Sequence, residues 1–167
     1  TAPTTEPVAT SVVTEQVAAT RTTFDRTAHA PLERCLERAV FGDPSDSPYV
    51  LPFPAGTGYT VIQSYCNDDG SHETQLAYDF AAPVGSEVIA ARSGYVSAVV
   101  SDISDTANTS KLNYVIIHHD DGTVAFYAHL MQNGVLVEIG DTVEQGHLFA
   151  YSGSSGRTGE VIHFGVY

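Results

Sequence analysis

Basic residues are scarce in this chain. Lys and Arg together number 7 against 20 Asp and Glu, for a net charge of −13. A surface that acidic repels phosphate backbones, which excludes nucleic acid as a partner. Long apolar runs are missing as well. No stretch approaches the roughly 20 residues a membrane-crossing helix needs, so no transmembrane segment is expected. Cysteine is limited to Cys35 and Cys66, with no Cys-x-x-Cys pair. That leaves two readings, one disulfide or two separate buried thiols. The disulfide reading fits an oxidising compartment and closes a loop worth on the order of 3 kcal/mol. The sequence opens Thr1-Ala2-Pro3 without an initiator methionine or an apolar leader core, which reads as a mature or trimmed start.

What is present suffices for one compact domain and a tail. The chain has 167 residues, 43% of them apolar, enough to bury a sizeable core. Residues 1–30 are rich in Thr, Ala and Val with no clear period. They read as a flexible tail or tether. In residues 31–58 a short helix and a proline-rich connection are expected. Leu32, Cys35, Leu36, Ala39 and Val40 recur at helical spacing between Pro31 and Gly42, a residue suited to the first turn and one suited to the stop. Pro44, Pro48, Pro52 and Pro54 follow.

From residue 59 onward the texture becomes β. Short runs rich in β-branched and aromatic residues are separated by turn residues. They are 60–64, 77–81, 87–91, 94–100, 114–119, 123–129, 142–151 and 161–167. Asp120-Asp121-Gly122 joins two of them as a hairpin turn. The expected fold is therefore all-β, an antiparallel sheet core, with one short N-terminal helix and an extended N-terminal tail.

Seven histidines stand out in a chain of this length. Asp79 lies inside the run Leu76-Ala77-Tyr78-Asp79-Phe80-Ala81. A carboxylate there either faces solvent or needs a partner, because a bare buried carboxylate costs several kcal/mol. His129 ends one run and His163 lies in the last. Alone, each is as well read as a satisfied core or edge histidine. Together, His72, Asp79 and His163 offer two imidazoles and a carboxylate, the donor set of a catalytic-type zinc site with a fourth position left open.

The order of short motifs from Ser71 to Tyr167 adds to this. Ser71-His72 and Tyr78-Asp79-Phe80-Ala81-Ala82-Pro83-Val84-Gly85 come first. Asn113-Tyr114-Val115-Ile116-Ile117, Tyr127-Ala128-His129-Leu130 and Ile162-His163-Phe164 follow. This region resembles the lysostaphin-type zinc endopeptidases. The resemblance implies a barrel-sandwich-like β-domain over residues 59–167, with one zinc ion held by His72, Asp79 and His163. It makes His129 a catalytic histidine near the substrate and gives His119 a structural place. The implied chemistry is hydrolysis of peptide bonds in bacterial peptidoglycan by an exported protein, extracellular, periplasmic or in the cell envelope.

Two departures from the family pattern are visible. His72 and Asp79 are seven positions apart, where many members have four. The family's closing His-x-His reads Val161-Ile162-His163. Residues two apart on a strand share a face, so a valine stands where the resemblance expects a catalytic imidazole. Two readings stay open. One is an active endopeptidase in which His129, or another base, takes the role. The other is a catalytically impaired relative, a pseudoenzyme that serves as a cell-wall-binding, regulatory or structural subunit of an envelope assembly, tethered by its N-terminal tail to an envelope protein partner.

Overall fold

The computed structural model describes residues 42–65, 72, 75–106, 109–156 and 159–167. The expected tail, the helix at 31–41 and both cysteines lie outside those residues. Among the described residues no helix is long and apolar enough to cross a membrane. The only helical turn among them is 3-10, Pro44–Asp46, capped by the Asp43 carboxylate.

Ten strands follow. They are β1 (Thr60–Gln63), β2 (Ala77–Ala81), β3 (Glu87–Ile89), β4 (Gly94–Val100), β5 (Tyr114–His118), β6 (Val124–Ala128), β7 (Leu130–Val135), β8 (Thr142–Val143), β9 (Leu148–Ser152) and β10 (Ile162–Val166). Seven form one sheet in the order β1-β2-β10-β6-β5-β4-β8, and three form a second in the order β3-β9-β7. Every pairing is antiparallel. The β5–β6 connection is the expected hairpin. Gly122 takes φ +85°, and the Asp121 carboxylate accepts from the Thr123 N–H. The Thr123 hydroxyl first, and then that bond, hold the Asp121 carboxyl down to a pKa of about 2.

The structure corrects two strand boundaries. The run expected as a single strand over 142–151 is two, β8 and β9, broken where Gly146 adopts φ +85°. β7 was not expected from the sequence. Its residues Leu130-Met131-Gln132-Asn133-Gly134-Val135 lack the clean period-2 alternation of a half-buried strand, and pairing with β9 shapes them instead.

Period-2 alternation sorts the large sheet into two faces. Phe80, Val115, Ile117, Tyr127 and Ile162 point to the shared core, where they meet Val88, Phe149 and Ala150 of the small sheet. Tyr127 and Phe149 pack edge to face across the two sheets at 4.9 Å. Asp79, Phe126 and His163 therefore project to the opposite face. The Tyr127 hydroxyl also accepts the buried Ala91 N–H at 2.9 Å. Replacing Tyr127 with Phe leaves that donor unpaired, which costs about 1–3 kcal/mol. Thermal melts should show the variant's Tm several degrees lower. An unchanged Tm would mean that this bond contributes nothing net.

Candidate metal centre

Strand register assembles the centre. β10 lies beside β2 with His163 directly opposite Asp79, and beside β6 with His163 opposite Ala128. His72 comes from the segment that precedes β2. The seven-residue spacing, longer than in many relatives of the pattern, still brings its imidazole back over Asp79. Asp79 Oδ1 accepts from His163 Nδ1 at 2.8 Å and lies 3.5 Å from His72 Nε2. The His72 and His163 rings meet edge to face at 4.9 Å. One donor atom from each of the three residues lies within 4.8 Å of the others.

These three residues are only 3% (His72), 7% (Asp79) and 6% (His163) exposed. A carboxylate and two imidazoles withdrawn from water this far need a compensating charge or a full set of hydrogen bonds. A four-coordinate zinc with bonds of about 2.0–2.1 Å keeps its donors about 3.3 Å apart. The two observed separations, 2.8 and 3.5 Å, bracket that value. Donor chemistry, spacing and burial together fit a metal ion.

The centre forms the floor of a cleft of about 220 Å³ lined by Gln63, His72, Gln75, Asp79, Leu112, Phe126, Ala128, His129 and His163. The Phe126 ring edges onto His163 at 5.6 Å. His129 stands between β6 and β7 with φ +60°, a left-handed conformation that non-glycine residues adopt only under constraint. Its ring lies 6.0 Å from that of His163, and its Nδ1 donates to the Ser155 carbonyl at 2.8 Å. Burial is the main force holding its pKa below the ordinary 6.5, so the neutral ring prevails near neutral pH.

The structure thus brings His72, Asp79, His163 and His129 to one cleft. Val161 sits just before β10, buried, at an isolated bridge to Gly153. It is not one of the cleft-lining residues. His119 is buried elsewhere, its Nδ1 donating to the Ser93 carbonyl, and His118 stacks on Tyr95. The sequence reading missed Gln63, Gln75, Leu112 and Phe126 as cleft residues. The alternation of β6 placed Phe126 on the His163 face, and that signal was available. Leu112 and Gln75 lie in connections, where no period speaks.

The profile of Peptidase family M23 matches residues 73–167, more than half of the chain. The chain belongs to peptidase family M23. The match begins one residue beyond His72, so the place of His72 in the group rests on the geometry above. Solved M23-type structures agree. The catalytic domain of the prophage-encoded M23 protein EnpA from Enterococcus faecalis shares 25% identity with a TM-score of 0.55, over 68% of this chain and 84% of that one. A zinc-containing peptidase from Vibrio cholerae shares 27% with a TM-score of 0.50, over 69% of this chain and 35% of the other. Lysostaphin, the antimicrobial peptidase of Staphylococcus simulans, shares 26% with a TM-score of 0.50, over 64% of this chain and 41% of the other. This M23 domain corresponds to about a third of the Vibrio chain and about two fifths of lysostaphin. What those whole proteins do is not thereby a property of this one.

Proposed function

We propose that residues 59–167 form a zinc metalloendopeptidase domain that cleaves peptide bonds of bacterial peptidoglycan. Residues 1–30 would then be a tether and 31–58 a connection, in an exported protein working outside the cytoplasm. The observation that carries this reading is the convergence of His72, Asp79 and His163 within 4.8 Å at the floor of a cleft whose wall carries His129. The first three would hold one zinc ion per chain. Bound there, zinc supplies Lewis-acid polarisation of a carbonyl and lowers the pKa of water towards about 7.

The protein's own groups supply the rest. His129 carries its Nδ1 proton on the Ser155 carbonyl, so in the neutral ring Nε2 holds the lone pair. Nε2 accepts the proton of the attacking water and returns it to the leaving amine nitrogen. Gln75 on the cleft lining offers its amide to a peptide backbone. The test is digestion of purified peptidoglycan. New amino groups should accumulate with the zinc-loaded protein, stop on chelation and resume when zinc is restored. No release under any of these conditions would reject the endopeptidase reading.

Val161 favours a second reading. It can neither accept nor donate a proton, and the resemblance expects an imidazole there. On this reading the domain keeps its metal but serves as a cell-wall-binding or structural subunit of an envelope assembly. Val161→His distinguishes the two. The larger ring strains a buried site by about 1–3 kcal/mol, yet a longer side chain that reaches the cleft from this position adds a second acid–base group and should raise turnover by up to about 10²-fold. A folded variant that still releases nothing favours the subunit reading. That reading also expects wild type to bind cell-wall fragments without turnover.

A further inference from the structure

The backbone around His129 is anchored more firmly than a loop between two strands requires. Its carbonyl accepts from the Gly153 N–H at 2.8 Å. The next carbonyl, that of Leu130, accepts from two side chains, the Asn113 amide at 3.0 Å and the Ser155 hydroxyl at 2.9 Å. Leu130 N–H donates to the Asn113 carbonyl at 3.2 Å. The Ser155 hydroxyl in turn accepts from the Asn113 N–H at 3.0 Å. The Asn113 side chain completes its set on Ile103, accepting from its N–H and donating to its carbonyl, both at 2.8 Å. Asn113 and Ser155 are fully buried. A buried polar network is stabilising only when each member is satisfied, and then it fixes one geometry.

That geometry converges on a single ring. The Ser155 side chain ties its own backbone to Asn113, at the start of β5, and to Leu130, at the start of β7. Its carbonyl is thereby held against His129 Nδ1. A carbonyl oxygen only accepts, so Nδ1 must carry the hydrogen. The backbone of Gly156 packs beside the ring. Gly156, at φ +91°, lies so near that a Cβ there would stand 3.3 Å from His129 Nδ1 and 3.4 Å from Cε1.

We propose that Asn113 and Ser155 are positioning residues that lock the His129 ring in the Nδ1–H tautomer and at one orientation in the cleft. Their catalytic consequence rests on reading His129 as the base, because only the Nδ1–H form offers Nε2 as the proton acceptor. The lock itself is a property of the fold and is measurable without turnover. Its significance for this chain is the valine at position 161. With one imidazole fewer than the family pattern, the proton transfer depends on how well the remaining one is held.

The test is a long-range proton–nitrogen NMR spectrum of the full chain, with His129 assigned by comparison with His129→Gln. Wild type should show His129 wholly in the Nδ1–H form at pH 8. Ser155→Ala, which keeps the carbonyl but cuts its anchor, should show a mixture of tautomers. Its kcat should fall by about 10-fold to 100-fold with KM unchanged, the signature of a misplaced group. Gly156→Ala presses on the ring without touching either side chain of the network. It serves where Ser155→Ala does not fold and should shift the same signal. A His129 signal identical to wild type in the folded variants overturns the proposal, even where wild type digests peptidoglycan. A shifted signal in a protein that digests nothing upholds the lock and rejects His129 as a working base.

Discussion

Asp79→Ala should abolish zinc binding at micromolar concentrations and reduce peptidoglycan digestion to background. Asp79 Oδ1 is the atom both imidazoles approach, at 2.8 and 3.5 Å. Its loss removes the sole anion of the group. Even partners that only support a metal ligand cost 10-fold to 100-fold in affinity when mutated, so loss of a ligand should weaken binding by more than about 10²-fold. The fold should survive, because the substitution removes a buried charge and places a small apolar residue on a strand whose core contact is made by its neighbour Phe80. Equilibrium dialysis against zinc, paired with a thermal melt in chelator, separates the two effects. An Asp79→Ala protein that retains stoichiometric zinc would mean that the ion, if any, sits elsewhere.

The second large effect is expected at His129 and has the opposite signature. His129→Ala should retain one zinc per chain, since its Nδ1 is committed to the Ser155 carbonyl rather than to the His72–Asp79–His163 group. Turnover should fall by about 10²–10⁴-fold, the usual contribution of a general base. Metal content measured on the same sample as the rate makes the split visible. If zinc leaves with the rate, His129 is a ligand. If the rate is unchanged, another group moves the proton.

Much of this arrangement was legible in the sequence, and the physical reasons for what was legible and what was not are specific. Asp79 inside an apolar β run and His163 in the closing run stood out only jointly, as a donor set and through the family resemblance, because each alone reads equally as a surface or satisfied residue. Their direct opposition across β2 and β10 is a matter of register. A sequence pattern shows which residues alternate but not which strands become neighbours: β10, last in the chain, inserts between β2 and β6. His72 lies in a connection where no period constrains it, so it was readable only as part of a donor set and through the order of motifs that the family resemblance supplies. β7 escaped because its pattern answers to pairing with β9 rather than to one buried face. The Asn113–Ser155 lock was hidden for a related reason. Its two members are 42 positions apart and meet through the Asn113 main-chain N–H and the Ser155 hydroxyl, a contact that no sequence period announces. Val161 was the reverse case, an anomaly plain in the sequence, while its bridge to Gly153 is known only from the fold.

The central claim, that three buried donors form one metal site, is most directly tested by titrating the chelator-treated protein with zinc and counting ions per chain. The account predicts saturation at one, and loss of that uptake in Asp79→Ala. A protein that takes up no zinc while fully folded would contradict it.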